Sequence, residues 1–375
     1  MPIQEKINDT IVSYSFTDLG TFGGRTSEVR KISDNGTIVG YDTKNEHSLF
    51  APSYIEKSYA AKWSFSPATP TRTEIIADAG SKITCLNNKG LMTGSSVWSS
   101  TGNGKVLQAT VWTETQAINL GSLNDNSYRS EATSVNDAGQ ITGISYLDSK
   151  QGSYHAVKWQ DGNISDLGTL GGRFSQANSI NKYGVIAGWS EDANQGSMHA
   201  TIWNGDQIII MHSNYSHSLA KDINDNGVVV GAVSGEHVNP MASVWVDQRE
   251  TVLSTGDSLW SRANAVNNME QIVGYVRYAN EELQHASLWL NKSSTAIDLN
   301  DFIDPAMREA GWVLTDARDI NEQGDIVGTA LNTLTYQSHA YLLKASNLFS
   351  PAPVVTITGV DATAFSSAHL LLQVQ

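Results

Sequence analysis

One nine-residue pattern occurs seven times in this chain, and this recurrence constrains the fold more than any other feature of the sequence. Each copy has an aliphatic residue, then Asn or Ser, a short polar turn, an aliphatic strand and a closing Gly. The copies span residues 32–40, 86–94, 135–143, 180–188, 223–231, 266–274 and 320–328. The closing glycines lie 43 to 54 residues apart, close to the roughly 40 to 50 residues of a unit of four short strands.

Two further elements recur around each copy. A short strand with Ser or Thr six positions before the Asn precedes it, and a strand reading His-Ala-x-x-Trp, or a variant, follows it, as in residues 155–159. A polar turn and a strand ending in Asp-Leu-Gly come next, as in residues 164–168. The pattern predicts four antiparallel strands per unit, a to d, with a tight Asn-Asp-x-Gly turn between a and b. Radial repetition of such units makes a β-propeller.

The ends of the chain predict how the array closes. Residues 14–24 match the strand d segment at 164–172, although no copy precedes them, and the seventh copy ends after strand c, at Leu343. An unpaired edge is avoided if the N-terminal strand completes the last blade. We therefore predict an all-β, seven-bladed β-propeller of four-stranded antiparallel blades over residues 1–345, closed by the N-terminal strand. Residues 346–375 are expected to form a C-terminal extension, with strands packed on the propeller.

Composition narrows the expected partners. The net charge of -14 and the lack of a Lys/Arg cluster disfavour nucleic acids and anionic membranes. No apolar run approaches the roughly 18 to 20 residues that cross a bilayer, and residues 1–6 lack the apolar core of a signal peptide. The single cysteine, Cys85, excludes an intramolecular disulfide and is expected to be a packing residue. We expect a soluble monomer that binds a small molecule or glycan, with no cofactor.

The repeated segments also carry a family resemblance. Asp-Leu-Gly-Thr-Leu-Gly-Gly, Ser-x-Ala-x-Ser-Ile-Asn and His-Ala-x-x-Trp resemble bacterial HAF-repeat proteins, usually described as extracellular and named for a His-Ala-Phe tripeptide. The resemblance covers residues 11–345, and the Phe of the tripeptide is replaced by Val157, Thr201, Ser287 or Tyr341. It implies an extracellular location, whereas the lack of a signal peptide in this chain leaves the cytoplasm open. It implies no common chemistry.

Loop lengths indicate which face of the disc carries the site. The a–b and c–d turns share one face, and the b–c and d–a connections share the other. The second set holds nearly all the length variation, as in residues 41–58, 95–107 and 291–319. The last of these contains a predicted helical turn with Asp304 as N-cap, Pro305 at its first position and Gly311 as its stop. Because binding residues concentrate on loops held by a rigid scaffold, the variable-loop face is the predicted site.

Comparison of equivalent positions of strand a among the seven copies indicates the candidate residues. Positions three and five before the Asn differ among the copies, and arginines and aromatic residues accompany them on the adjoining loops and strands. Guanidinium forks suit carboxylates, and aromatic faces suit sugars or planar ligands. The candidate ligand-binding residues are Arg25, Arg30, Tyr41, Arg129, Arg173, Trp189, Lys221, Trp260, Arg262, Tyr275 and Arg318. The candidate acid–base residues are His217, Glu131, Glu28 and Asp316. The alternative is a water-filled channel whose charges pair with one another.

The repeated residues are predicted to be structural. The recurring histidines occupy the same position in different units, so radial symmetry spaces them too far apart for a metal, and each is expected to make a hydrogen bond from strand c. These residues are His155, His199, His285 and His339. The Asp-x-Gly turns lack the carboxylate series of a calcium loop. The six repeat tryptophans are expected in the core.

Three functions remain open from the sequence. The first is a propeller that binds a carbohydrate or another small polar ligand at the channel mouth on the variable-loop face. The second is an enzyme without a short motif, a lyase, hydrolase or cyclase, with an acid–base site at the same mouth. The third is a scaffold for protein partners. Aromatic residues recur after the closing Gly only as Tyr41, Trp189 and Tyr275, which favours one central site over repeated peripheral ones.

Overall fold

The computed structural model describes residues 3–346 apart from residues 8–9, 22, 48–53, 67–68, 75–80, 101–103, 125–127, 148–151, 194–195 and 280. The predicted extension at 346–375 lies, except for its first residue, outside the described residues. Most of the described chain is in short strands. The strands of the first half are β1 (Ile3–Ile7), β2 (Thr10–Gly20), β3 (Ser27–Ile32), β4 (Ile38–His47), β5 (Tyr54–Ser66), β6 (Thr69–Glu74), β7 (Lys82–Leu86), β8 (Met92–Ser100), β9 (Gly104–Trp112), β10 (Ala117–Gly121), β11 (Ser130–Val135), β12 (Ile141–Tyr146), β13 (Tyr154–Gln160) and β14 (Asn163–Asp166).

The second half continues in the same way. Its strands are β15 (Gly171–Ile180), β16 (Ile186–Asp192), β17 (Met198–Asn204), β18 (Gln207–Ile210), β19 (His217–Ile223), β20 (Val229–Gly235), β21 (Val238–Val246), β22 (Arg249–Val252), β23 (Ser258–Val266), β24 (Ile272–Tyr278), β25 (His285–Trp289), β26 (Ile297–Asp298), β27 (Trp312–Ile320), β28 (Ile326–Asn332) and β29 (Ser338–Ala345). A 3₁₀ turn (Leu299–Phe302) and the helical turn α1 (Pro305–Glu309) precede β27. As predicted, Asp304 caps α1 and Pro305 is its first residue.

The strands form six sheets with an all-β propeller fold. Four sheets are antiparallel meanders of four consecutive strands: β3–β6, β7–β10, β19–β22 and β23–β26. A fifth has the order β1-β2-β29-β28-β27, and the sixth joins β11–β14 to β15–β18 in one eight-stranded sheet. Five sheets thus have about the size of one blade. The expectation of seven separate four-stranded sheets is not met, because a parallel pair, Tyr154 with Phe174, connects the two halves of the sixth.

The N-terminal strand pairs with the last strand of the chain. Antiparallel β2 and β29 place Tyr14 opposite Ala345 and Asp18 opposite Tyr341, which is the pairing predicted from the copy of strand d at residues 14–24. β1 then adds a fifth strand outside β2. The first two described strands and the last one therefore share one sheet.

The repeated Asn and Gly have distinct structural causes. In six copies the Asn side-chain oxygen accepts hydrogen bonds from the backbone N–H groups two and four residues later, which closes the a–b turn; for Asn181 the donors are Tyr183 (3.1 Å) and Val185 (3.0 Å). The closing Gly lies against the backbone carbonyl of the facing strand. A Cβ on Gly188 would clash with the carbonyl oxygen of Gln176, and the six other closing glycines face the equivalent oxygen. No larger residue fits there.

The core lies between consecutive sheets. Each repeat Trp clusters with aliphatic residues of the preceding copy; Trp203, for example, shares a cluster with Ala156, and Trp63 of the first copy clusters with Leu342 of the last. The six repeat tryptophans are all buried, as predicted: Trp63, Trp112, Trp159, Trp203, Trp245 and Trp289. Within the described residues no helix has both the length and the apolar character to span a bilayer.

The Ser six positions before the Asn connects each inner strand to the preceding copy. The hydroxyl of Ser175, at the inner strand β15, accepts a hydrogen bond from the Ala156 N–H (2.9 Å) and donates to the Gly168 carbonyl (2.7 Å). Ser27 repeats these contacts with Ala340 and Gly20 (2.9 and 2.6 Å). The first inner strand is therefore bonded to the sheet that contains both ends of the chain.

Candidate functional site

A bulge in every inner strand determines which side chains line the axis. The pairing of each strand a with strand b shifts by one residue at the third position before the Asn, as between Val29 and Lys31. The same shift occurs in β7, β11, β15, β19, β23 and β27. A bulge breaks the alternation of side chains, so two successive positions, the third and the second before the Asn, line the axial cavities instead of one.

These positions line two connected cavities. The loop-side cavity, of about 160 Å³, is lined by residues of both positions, including Arg30, Lys221 and Arg318. The turn-side cavity, of about 200 Å³, is lined by the a–b turns and by residues of the second position. Lys31 and Asp222 line both cavities and so mark the level at which they meet.

The charges at this level are paired. We call Lys31, Asp222 and Asp319 the turn-side layer. The Lys31 ammonium lies 2.7 Å from Asp319 Oδ1, and Asp319 Oδ2 accepts from the Ile32 N–H (2.8 Å). Asp222 accepts from the Ser179 hydroxyl (2.6 Å) and from the Val266 N–H (3.0 Å). Each carboxylate therefore satisfies a backbone donor of another sheet.

The charges of the turn-side layer and burial determine the protonation states of Lys31 and of the neighbouring Cys85. Burial alone would lower the pKa of Lys31, but the charges of Asp319 and Asp222 outweigh it, and the pKa is raised. Burial raises the pKa of the adjacent Cys85 thiol, against the positive charge of Lys31. Cys85 is therefore a neutral, buried packing residue, as the sequence predicts.

The turn side of the channel is also hydrogen-bonded from one copy to the next. Each Asn side chain donates to the backbone carbonyl of the next copy's Asn, at 2.9 to 3.2 Å, and Asn321 donates to the Ser33 carbonyl. The residues that follow the Asn add a second set of links; the Glu322 N–H, for example, donates to Asp34 (3.0 Å). The acidic side chains of this mouth are thus engaged by backbone donors.

The loop-side cavity differs, because its cations outnumber its anions. We call Arg30, Lys221 and Arg318, which line the cavity, together with Arg262, whose charge acts on Lys221, the cationic cluster. Glu28 pairs with Arg30 (3.3 Å), and Asp316 lies 2.8 Å from Arg318 Nε. Asp316 also accepts from Asn264 (2.7 Å). Within the described residues Lys221 makes no hydrogen bond or ion pair, and the buried Nε of Arg262 has no hydrogen-bond partner.

The surroundings lower the proton affinity of Lys221. Burial lowers its pKa to about 8; the positive charges of Arg262, Arg318 and Arg30 act in the same direction, against Asp316. Burial raises the pKa of the Asp316 carboxyl, against the charge of Arg318 and the hydrogen bond from Asn264. An amine and a carboxyl are therefore both shifted towards their neutral forms in one place.

A group of half-buried aromatic residues lies at the junction of β11–β14 with β15–β18. We call Tyr146, Tyr154, Phe174 and Trp189 the aromatic shelf. The ring centroid of Tyr154 lies 5.3 Å from Tyr146, 4.9 Å from Phe174 and 6.3 Å from Trp189. Two of the predicted arginines cover it: the guanidinium carbon of Arg129 lies 5.5 Å from the Tyr146 centroid, and that of Arg173 lies 5.4 Å from Phe174.

Three further predicted candidates lie beside these two groups. Tyr41 lies under Arg30 (5.5 Å to the ring centroid). Burial raises the pKa of Tyr41 to about 12, helped by Glu28. Tyr275 pairs in register with Arg262. Glu131 pairs with Arg129 beside the aromatic shelf.

Three other candidates have local contacts instead. Arg25 donates to the Thr335 carbonyl (3.2 Å). His217 accepts from the Met198 N–H (3.4 Å), and Trp260 is covered by Arg277 (5.2 Å). None of these three contact partners belongs to the cationic cluster.

Sequence reasoning missed the turn-side layer. If side chains alternated strictly along strand a, the second position before the Asn would point away from the axis. The bulge turns the side chains at this position towards the axis, as for Lys31, Asp222 and Asp319. A usable signal was present. Three of the seven copies have a charged residue at this position, although strict alternation of side chains would place it in the apolar space between sheets.

The recurring histidines are structural, as predicted. The imidazoles of His155, His285 and His339 lie 2.8, 2.6 and 2.9 Å from an Asp of the neighbouring strand d, and His199 lies 3.1 Å from Asp192. Within the described ranges, no three or more His, Cys, Asp or Glu side chains are placed to hold a metal ion.

Comparison with known proteins gives limited similarity. A family model described as "Protein of unknown function (DUF3466)" matches residues 173–347, somewhat less than half of the chain. No curated protein matches. The fold is similar to TolB from Acinetobacter baumannii (10% identity, TM-score 0.41, 83% of this chain and 80% of that one) and to the β-propeller domain of the trilobed protease from Pyrococcus furiosus (11%, 0.38, 74% and 98%).

A peptidase chain is also similar in fold. It is a puromycin-hydrolyzing peptidase from Mycobacterium tuberculosis, at 9% identity and a TM-score of 0.49, with 83% of this chain and 51% of that chain covered. This chain therefore spans about half the length of that peptidase. The similarity concerns the fold, and the activities named for these proteins are not transferred to this chain.

Proposed function

We propose that the described sheets form a ring of seven four-stranded blades, with β11–β14 and β15–β18 as separate blades and β2 closing the last one. Each inner strand contacts the next around the axis, and β27 contacts β3. The bonds of Ser27 to Ala340 and of Asn321 to Ser33 repeat, between the last sheet and the first, links found elsewhere between neighbouring sheets. The resemblance to HAF-repeat proteins remains part of this proposal.

Deletion of residues 1–20 tests the closure. It removes the partner of β29 and should abolish the cooperative thermal transition. An unchanged melting temperature would refute closure by β2. Ser27→Ala removes a hydrogen bond between the last copy and the first, and Ser175→Ala removes the equivalent bond between two internal copies. If the ring is closed, the two variants should lower the melting temperature by similar amounts.

We propose further that the protein binds a small polar ligand carrying a carboxylate or similar anionic group at the loop-side cavity. The observation that carries this proposal is the excess of cations: Lys221 and the Arg262 Nε have no hydrogen-bond partner among the described residues, while only Asp316 and Glu28 pair with members of the cluster. An unpaired buried cation is costly, and an anionic ligand would offset that cost. Guanidinium groups match carboxylates in geometry.

The aromatic shelf favours a carbohydrate as the rest of the ligand. Half-exposed rings offer faces on which the apolar side of a sugar stacks, and guanidinium groups at their edges can donate to hydroxyl or carboxylate oxygens. A sugar acid combines both requirements. The proposed partner is therefore a small molecule or glycan bound by a monomer.

Calorimetric titration with glucuronate, galacturonate, lactate and the corresponding neutral sugars tests this function. We expect binding of the acids and not of the neutral sugars. Lys221→Met and Arg262→Met should each weaken binding about tenfold to a hundredfold, the usual range for one hydrogen bond to a charged group. Lys182→Met, which removes an exposed lysine paired with Asp225 on the turn side, is the matched control and should bind like the unaltered protein. Equal affinity in all variants, or no binding of any acid, would refute the proposal.

One observation supports an enzyme as the second candidate. Lys221 and Asp316 have their pKa values shifted in opposite directions, towards neutrality, beside one cavity, and such shifts accompany acid–base catalysis. A lyase, hydrolase or cyclase would use Asp316 as acid or base and Arg318 as an anion clamp. Turnover that Asp316→Asn abolishes, with unchanged ligand affinity and melting temperature, would support this alternative.

A further inference from the structure

Two lysines line the loop-side cavity, and they differ in their contacts. The Lys31 ammonium is held 2.7 Å from Asp319. Lys221 extends from the bulge of β19 and makes no hydrogen bond or ion pair with any described residue. The Lys221 amine is therefore the one of the two that is free to approach a bound molecule.

A lysine amine is a nucleophile only when it is neutral. At pH 8 less than about 1% of an ordinary lysine is neutral. Burial and the three arginines of the cationic cluster lower the pKa of Lys221 to about 8, so roughly half of it is neutral at that pH. The opposite holds for Lys31, whose pKa is raised by Asp319 and Asp222.

The neighbours of Lys221 define what it could react with. Arg30, Arg262 and Arg318 present guanidinium groups suited to a carboxylate, and Asp316 supplies a buried carboxyl that can give or take a proton. The cavity has a volume of about 160 Å³. A short molecule with a carboxylate next to an electrophilic carbon fits this set of groups.

We propose that Lys221 condenses reversibly with the carbonyl group of a small 2-oxo acid held by the cationic cluster, so that the loop-side cavity is a carbonyl-capture site. This inference rests on the proposed anion site and names its ligand class. The amine nitrogen adds to the carbonyl carbon, and the carbonyl oxygen leaves as water with both amine hydrogens. A carbon–nitrogen double bond remains on Lys221. No oxidant or reductant is consumed.

Borohydride trapping tests the inference on the full-length protein. The protein is incubated at pH 8 with glyoxylate or pyruvate, reduced with sodium borohydride, and analysed by intact mass and peptide mapping. We expect one adduct, on Lys221, at roughly ten times or more the level on any other lysine, because its neutral fraction is larger by at least that factor. Lys31 is the internal control, since it lines the same cavity but is paired.

Lys221→Arg separates the two proposals, because arginine keeps the positive charge but forms no imine under these conditions. Glycolate and lactate, which lack the carbonyl, measure anion binding alone. We expect Lys221→Arg to bind lactate within a fewfold of the unaltered protein and to give no trapped adduct at position 221. Binding of lactate without an adduct on Lys221, or equal labelling of exposed lysines, would overturn the carbonyl-capture inference and leave the anion site standing. Failure of lactate, pyruvate and the uronic acids to bind would overturn the anion site itself.

Discussion

The two levels of the channel contain similar residues in opposite states of pairing. In the turn-side layer, Lys31 and Asp319 neutralise each other, and the carboxylates accept backbone hydrogen bonds from other sheets. In the cationic cluster, four cations share two carboxylates, and Lys221 and the Arg262 Nε lack partners. The first level stabilises the junctions between sheets. The second retains unsatisfied charge, which stability alone does not explain.

Removing the lysine from each level should give the clearest contrast. Lys31→Met leaves the buried Asp319 carboxylate unpaired, and we expect a loss of about 3–5 kcal/mol in the free energy of unfolding. Lys221→Met removes a charge without a partner and should be neutral or stabilising. Urea denaturation of the two variants measures the difference, and equal destabilisation would remove the distinction between the levels.

The hydrogen bonds of the turn side can be tested at one Asn. Asn181→Ala removes two acceptor bonds within its turn and one donor bond to the Asn224 carbonyl, and we expect a loss of about 2–3 kcal/mol. Asn181→Asp keeps the acceptor oxygen and loses the donor, so it should lose less. An alanine variant as stable as the original in urea would contradict a structural role for this side chain.

The pH dependence of stability should reveal the charge at Lys221. Its pKa in the folded protein, about 8, lies below the ordinary value of 10.5, so the charged side chain opposes folding. This cost is fully present below pH 8 and is relieved as the pH rises towards 10.5, where the unfolded chain also loses the proton. The stability of the original protein relative to Lys221→Met should therefore rise across this range. A flat difference would refute the lowered pKa.

The smallest change in stability is expected from adding the one Asn side-chain hydrogen bond that the turn side lacks. Ser33 stands where the other copies have Asn, and its hydroxyl bonds only within its own turn. Ser33→Asn should add a donor towards the second copy and stabilise the protein by about 0.5–1.5 kcal/mol. Asn321→Ser, the reverse change at the last copy, should lower stability by a similar amount, as measured by thermal denaturation.

The repeats made the fold largely predictable, and the bulge limited prediction of the site. The strand order, the pairing of β2 with β29, the buried tryptophans and the cap of α1 follow from local patterns of turn, strand and capping residues. Arg30, Lys221, Arg262 and Arg318 could be proposed from the sequence because their positions vary among otherwise similar copies. Lys31 and Asp319 were missed because a bulge shifts register without a strong local signature. Of the aromatic shelf the sequence indicates only Trp189 and the two arginines that cover it, since Tyr154 and Phe174 meet across the parallel pair of β13 and β15.

The hydrogen bonds that the repeated Asn side chains donate all run from one copy to the next, and this has a mechanical consequence. In an array of similar units the junction of the last copy with the first is the expected weak point, yet Asn321 bridges it to Ser33 as elsewhere. The missing Asn donor lies one step further on, between Ser33 and Asn87, where Asp34 and Asn88 exchange bonds instead. Fraying of the array should therefore begin between β3 and β7, within the continuous chain, and not at the junction of the last copy with the first.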